Sequence, residues 1–258
     1  MRSLALDTSS DVLSLALFEE DQLIIEVNSN VSKQHGAFLL PLVEQLLLAV
    51  KWERETIDQI WLGRGPGSYT GLRIGATMAK VWTSTKKSHL ESFSSLAIMA
   101  GQVADDGGKS WIIPIMDARR GTAYTAAYHW QDGLLKNKIK DDHVDWQDWI
   151  QEKLLPQFNE TDLKQLIFLS AHENNLTNFV KESLSQQSIQ HRFVTGQYAW
   201  PKVGKVPYIE RKHVEDVDIF EPFYAHLTLA EQEWAAKQTN QIQEKNESYV
   251  EQTNETSI

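Results

Sequence analysis

The chain of 258 residues has no cysteine. That excludes a disulfide framework, a thiol nucleophile and any cysteine-ligated zinc or iron–sulfur site, and it fits a reducing compartment. Histidine is present at His35, His89, His129, His143, His172, His191, His213 and His226. No two of these lie three to five residues apart, so no local metal-binding pair exists, and a metal would need ligands gathered from distant segments. Long hydrophobic runs are missing too. Phe38 to Val50 is the longest, is broken by Glu44 and Gln45, and falls short of the ~20 residues that span a bilayer. The opening MRSLALDTSS has no secretory apolar core. The expected location is therefore the cytoplasm, away from membranes.

Positive charge is also scarce. Lys and Arg number 25 against 35 Asp and Glu, a formal net charge of −10. Nucleic-acid binding needs a basic footprint, and no Lys/Arg-rich run with interleaved aromatics stands out. If RNA is involved, a partner supplies most of the positive surface. No Gly-Lys-Ser/Thr follows the glycine-rich segment, no dinucleotide fingerprint has the required spacing, and no Gly-x-Ser-x-Gly elbow occurs.

What is present is a mixed α/β pattern in a chain with 41% hydrophobic residues, enough for a sizeable core. Leu4–Leu6, Val12–Phe18 and Gln22–Val27 read as three short strands separated by polar turns. A meander followed by helices points to a mixed sheet rather than a parallel one. A helix is expected from Ser32 to Trp52, a strand at Ile57–Leu62 and a second helix from Thr70 to Lys87. Further on, Ser110–Met116 and Thr122–His129 form a strand pair around Asp117–Gly121, Leu166–Ser170 a strand, and Leu176–Ser185 a helix. The acidic, aromatic stretch Asp141–Ile150 reads as a helix with a solvated face.

Both early helices are more apolar than a surface helix requires. The first carries apolar residues around nearly its whole circumference, with Glu44, Gln45 and Lys51 as the clearly polar exceptions. A helix apolar all round is buried on more than one side. Either it is sandwiched within the chain's own core, or it packs on its sheet and offers a face to another subunit. On the second helix Arg73, Thr77, Lys80, Ser84 and Lys87 share one side. Gly71, Gly75 and Ala79 recur every four residues, a spacing that lets another element approach closely.

Three turns are candidates for chemistry. Asp7-Thr8-Ser9-Ser10 follows the first strand with hydroxyls but no glycine; ordinary turn chemistry accounts for it without a ligand. Gly65-Pro66-Gly67-Ser68-Tyr69-Thr70-Gly71 is more specific. Glycine allows a tight turn, Pro66 stiffens it, and Ser68 or Thr70 can cap the helix, leaving donors and a positive dipole end for an anion. Asp117-Ala118-Arg119-Arg120-Gly121 could place Arg119 on an anion or partner, or be a charged hairpin tip capped by Asp117; taken alone, the second reading suffices.

Four segments, LALDTSS, GRGPGSYTGLRIGATMAK, IPIMDARRGTAYTAAY and EPFYAHLTLAE, occur in this order. Together they resemble the TsaB (YeaZ) family, bacterial relatives of TsaD in the actin-like ATPase superfamily. The likeness is strong to about residue 130, patchy to Asp218, and returns at Glu221–Glu231. It implies an α/β, two-lobed actin-like ATPase (ribonuclease H-like) fold with mixed sheets flanked by helices. The division expected is 1–100 for a first lobe with partner-docking helices and 101–220 for a divergent second lobe. A C-terminal helix at 221–236 is expected to pack back on the first lobe, and 237–258 to form a disordered polar tail.

The resemblance further implies a non-catalytic subunit in forming N6-threonylcarbamoyladenosine at position 37 of tRNAs reading codons that start with A. The partners implied are a TsaD-like catalytic subunit and a TsaE-like ATPase, with self-association through the same helices and tRNA contacted indirectly through the complex. The interface residues implied are His35, Leu39, Leu42, Val43, Leu46, Gly71, Arg73, Ile74, Gly75, Met78 and Trp82. Candidate anion or nucleotide contacts are Asp7, Thr8, Ser9, Gly65, Gly67 and Ser68, with no catalytic or metal-binding residue. No cofactor is expected to be held tightly, ATP or ADP entering only within the complex. Where TsaD would present its metal-binding histidines, this chain reads ESFSSLAIMA. The alternatives left open are an active ATP-dependent enzyme of the small-molecule kinase type and, less favoured, a peptidase. The Trp-rich acidic stretch from His129 to Asp162 carries no functional reading.

Overall fold

The computed structural model describes residues 1–225 apart from Lys87, Glu160, Asp162, Lys164 and 186–188, and of Lys86 only the backbone. Of the expected C-terminal helix 221–236, residues 221–225 are described and are not helical; its remainder and the expected polar tail 237–258 lie outside the described residues.

The first strands form as their alternation dictates. β1 (Arg2–Asp7), β2 (Val12–Glu19) and β3 (Gln22–Asn30) make an antiparallel meander, with Ala5 opposite Ala16 and Ser14 opposite Asn28. The chain then crosses over through α1 (His35–Val50) to β4 (Gln59–Gly63), parallel to β1. A second crossover through α2 (Tyr69–Lys86) leads to β5 (His89–Phe93), parallel to β4. α1 ends at Lys51, which adopts the left-handed conformation and donates its backbone N–H to the last helical turn. α3 (Ser95–Ala100) follows, capped by the Ser94 side chain, and is buried along its whole length.

The second sheet repeats the same plan. β6 (Ser110–Arg119), β7 (Thr122–Gln131) and β8 (Leu134–Asp145) form a meander, and β9 (Gln165–Ser170) and β10 (Gln190–Thr195) add in parallel beside β6. β11 (Arg211–His213) returns to the edge of the first sheet against β5. The strand orders are β11-β5-β4-β1-β2-β3 and β10-β9-β6-β7-β8, each with the first strand of its meander at the junction between antiparallel and parallel halves. This duplicated mixed sheet with flanking helices is the α/β actin-like arrangement expected.

Three apolar layers hold it together. Leu4, Leu6, Leu13, Leu15, Leu17, Ile60 and Leu62 point from the first sheet onto α1 and α2. Ala5, Phe18, Trp61 and Phe93 point from its other face into a layer shared with Ile112, Tyr128, Trp130 and Leu169 of the second sheet. Outside the second sheet lie Trp111, Ile113, Trp146, Trp149 and Phe158. Strands covered on both faces read as continuous apolar runs, which is why β1 and β4 lack a clean alternation. Late segments complete early ones. Val203 N donates to Ser14 Oγ at 2.9 Å and Gly204 N to Glu26 Oε1 at 2.7 Å, 189 and 178 residues apart in sequence.

One expected element is corrected. Asp141–Ile150 is not a single helix: Asp141–Asp145 completes β8, and a helix starts only at Trp146, capped by the Asp145 carboxylate. Pairing with Thr122–Thr125 captures the backbone of the acidic residues, an interaction that a local reading does not contain. The tryptophans of this region are structural. Trp146 and Trp149 stack at 5.7 Å, Trp146 donates to Leu176 O, and Trp130 donates to Val103 O.

Candidate functional site

The turn after β1 and the glycine-rich turn after β4 are interlocked. Gly63, Gly67, Gly71 and Gly75 recur every fourth residue, and all four lie against Asp7-Thr8-Ser9. A Cβ on Gly63 would overlap the Asp7 carboxylate, one on Gly67 the Ser9 backbone and one on Gly71 the Thr8 carbonyl; on Gly75 it would sit 2.5 Å from Thr8 Oγ1. The close approach expected of the small residues of α2 is thus made within the chain, with its own first turn, and not with a partner. Gly71 and Gly75 are buried there.

Hydrogen bonds complete the lock. Asp7 is fully buried and accepts from Ser9 N (3.0 Å), Ser9 Oγ (2.7 Å) and Ser95 Oγ (2.6 Å). Thr8 Oγ1 donates to Gly71 O at 2.8 Å, and Ser68 N to Ser9 O at 2.7 Å. Gly65 takes φ +101° beneath Phe223, whose N–H donates to Arg64 O. Burial pushes the Asp7 carboxyl above its usual range, opposed by the Ser9 and Ser95 donors and, more weakly, by the charge of His35.

The candidate anion residues Asp7, Thr8, Ser9, Gly65 and Gly67 are therefore brought together, but their polar groups face one another, with an acid and no cation among them. The arrangement does not fit a phosphate group in the chain by itself, because hydroxyls that would cradle it are already donating inward. Ser68 is exposed and caps α2, its Oγ accepting from Gly71 N at 3.3 Å. Ser94 and Ser95 have structural roles: one caps α3, the other holds Asp7. Among the described residues no group of three His, Cys, Asp or Glu side chains could hold a metal ion.

The outward side of α1 and α2 is different. Between the helices lies an open groove of about 640 Å³ lined by Gly36, Leu39, Leu40, Arg54, Tyr69, Thr70, Arg73, Ile74, Thr77, Met78, Val81 and Trp82. α1 turns His35, Leu39, Val43, Leu46 and Leu47 onto the sheet and leaves Phe38, Leu40 and Leu48 exposed, Leu48 at 78%. Val81 of α2 is 55% exposed. The all-round apolarity of α1 thus covers its sheet on one side and is open on the other.

This places the expected interface residues. Leu39, Met78, Trp82 and the half-buried Ile74 form the groove floor, and Arg73 its rim. Val43 and Leu46 are core residues of the chain's own first lobe, Leu42 packs at the edge of that cluster, and none of the three lines the groove. His35 is buried as well and does not line the groove. Helical periodicity locates an apolar helix but not which apolar arc meets the sheet; that choice is made by Leu6, Leu15 and Leu17 beneath it. Leu40, Tyr69, Val81 and Arg54 were missed for that reason. Arg73 donates to Tyr69 OH at 2.9 Å and lies over its ring, while the Arg54 guanidinium lies over Trp82 at 4.8 Å. The lining contains two arginines and no acid.

No helix among the described residues is long and apolar enough to cross a membrane. Residues 27–234 match the family model described as TsaD, tRNA N6-adenosine threonylcarbamoyltransferase. The chain is 31% identical over 240 residues to the tRNA threonylcarbamoyladenosine biosynthesis protein TsaB of Bacillus subtilis, covering 92% of this chain and 100% of that one. Against the Escherichia coli protein of the same name it is 27% identical over 209 residues, 80% and 76% of the two chains. In fold it resembles YeaZ from Pseudomonas aeruginosa, with a TM-score of 0.62 at 22% identity over 80% of this chain and 89% of that one. It also resembles an uncharacterized protein with similarity to peptidase YEAZ from Pseudomonas aeruginosa, with a TM-score of 0.69 at 21% identity over 87% and 99%.

Proposed function

The chain belongs to the TsaB family of tRNA threonylcarbamoyladenosine biosynthesis proteins, and from that premise we propose that it is a non-catalytic subunit that docks a TsaD-like catalytic subunit through the α1–α2 groove. The assembly forms N6-threonylcarbamoyladenosine at position 37 of tRNAs that read codons starting with A. A TsaE-like ATPase joins it, and tRNA is held mainly by the assembly. The observation that carries this reading is the open apolar groove, where Leu40, Val81 and Tyr69 stand exposed around a floor of Leu39, Met78 and Trp82. Contiguous apolar surface of this kind marks an interaction site. Its basic rim, Arg54 and Arg73, selects a partner surface that brings acidic groups beside an apolar ridge.

The interlocked turns support the non-catalytic part: the groups that would meet a nucleotide are spent on holding α2 in place. Nucleotide then belongs to the assembly, and this chain holds no cofactor tightly. Two copies of the chain can also meet apolar face to apolar face through this groove, a weaker fit than the catalytic subunit because both rims are then basic.

The test is co-purification with the catalytic subunit, combined with an assay of tRNA modification. Leu40→Asp and Val81→Asp are expected to keep the far-UV spectrum and melting temperature of the parent while losing the partner and the modification. Retention of the partner at parental levels by both variants would place the docking surface elsewhere.

A further inference from the structure

The β6–β7 hairpin ends in a tip whose backbone is ill suited to the residues it carries. Arg119, Arg120 and Gly121 take φ of +73°, +52° and +81° in succession. The strand register shifts between Asp117 and Arg119, and Arg119 then pairs with Thr122, so Arg120-Gly121 is the two-residue turn. Such turns favour asparagine and glycine, because a Cβ is disfavoured in the left-handed region. Two consecutive arginines there cost conformational energy that asparagine or glycine would avoid.

The tip is nonetheless firmly framed. Asp117 Oδ1 accepts from Arg119 N at 2.7 Å, and its other oxygen accepts from Asn174 Nδ2 at 3.3 Å. Thr122 Oγ1 donates to Arg119 O at 2.8 Å, and Trp146 N donates to Gly121 O at 3.1 Å. Both arginines are exposed, and a Cβ on Gly121 would meet nothing within 4 Å. Neither guanidinium has an acidic or hydrogen-bonding partner among the described residues. A chain of net charge −10 holds these two cations on a framed, projecting turn, with no partner for either among the described residues.

We propose that Arg119 and Arg120 form a contact for the phosphodiester backbone of an RNA substrate. The inference rests on the tRNA-modification reading above and adds to it a direct RNA contact by this chain. Guanidinium groups match phosphate oxygens in paired geometry. Backbone contacts position a nucleic acid without reading its sequence, which two cations suffice to do. An acidic chain gains from such a contact in particular, since its remaining surface repels RNA.

The test uses the full chain in complex with its catalytic subunit and compares the parent with an Arg119→Asn/Arg120→Asn double variant. Asparagine suits the left-handed backbone, so the variant should melt no lower than the parent and co-purify normally. Its affinity for tRNA at about 150 mM salt should fall about 10-fold, and the slope of log affinity against log salt should shrink by about 1–2, as expected for one or two lost phosphate contacts. An Arg119→Lys/Arg120→Lys variant should restore the slope. Unchanged tRNA affinity and slope in a normally assembled complex would overturn this inference while leaving the docking reading intact. So would a drop in melting temperature with RNA binding preserved, or loss of nucleotide binding alone. Failure of the parent chain to assemble with a catalytic subunit would instead overturn the docking reading, and this inference with it.

Discussion

Thr8 and Gly71 join the first strand to the second helix at one point: the Thr8 hydroxyl donates to the Gly71 carbonyl at 2.8 Å, and the space a Gly71 side chain would need is filled by the Thr8 carbonyl. Backbone stands on both sides of this contact, so neither can move aside as a flexible side chain would.

Gly71→Ala is therefore expected to destabilise the chain by about 3 kcal/mol, the upper range of ordinary overpacking. Gly36→Ala is the matched control. Its nearest neighbour would be Ile74 Cδ1 at 3.9 Å, and helix propensity should add about 0.5 kcal/mol of stability. Urea titration of both variants measures the contrast, and equal midpoints would remove the proposed lock.

Ser95→Ala should produce a pH-dependent defect. The Asp7 carboxyl is raised by burial, so the folded state binds more protons than the unfolded state between the two pKa values. Stability accordingly falls as pH rises through that window, from the unfolded value near 3.8 upward, and is level above it. Ser95 Oγ donates to the ionised form; without it the folded pKa rises further and the window widens. The variant should lose about 1.5–3 kcal/mol at pH values where Asp7 is ionised, as for a hydrogen bond to a charged group, and less where it is protonated. A deficit independent of pH would show that Ser95 acts through packing alone.

Adjacent residues of α1 should separate folding from docking. Leu39 is 3% exposed and Leu40 53%. Leu39→Asp places a charge in the first-lobe core and should cost on the order of 4 kcal/mol, whereas Leu40→Asp should melt within about 0.5 kcal/mol of the parent, as surface changes do. Thermal melts beside a partner pull-down distinguish the two; similar melting of both would mean that α1 is rotated from the arrangement described.

Sequence alone carried the meander, both crossover helices and the strand pair around Asp117, because their signals are local: period-two strands, apolar helices, polar turns. It did not carry β5, α3, β10 or β11. β5 reads HLESF and β11 RKH, too short and too polar to announce strands, and each is fixed by the neighbour it pairs with. The glycine-rich turn was visible as a special segment, yet its purpose was not. The glycines' spacing of four says that something approaches closely, while only the fold identifies it as Asp7-Thr8-Ser9. Ser95 gave no signal, standing 88 residues from the carboxylate it serves.

Trp146→Ala tests the structural reading of the Trp-rich stretch. The ring is fully buried, stacks on Trp149 and donates to Leu176 O. Its truncation should cost about 3–5 kcal/mol and, at a temperature where the variant remains folded, leave binding of the catalytic subunit unchanged. Weakened docking by a fully folded variant would assign this region a role that its burial does not suggest.

The bond from Val203 N to Ser14 Oγ has a consequence for how the protein is born. Ser14 is made long before its donor and before the β11 strand that closes the edge of the same sheet, both of which follow only after all five strands of the second sheet. Until then the first sheet lacks part of its cover, since Ala5, Phe18 and Trp61 share their layer with Val203, Val206 and Ile209 as well as with the second sheet. Exposed surface of that kind invites capture by chaperones and by neighbouring nascent chains. Chains truncated before residue 203 should accordingly aggregate more than chains truncated after residue 213.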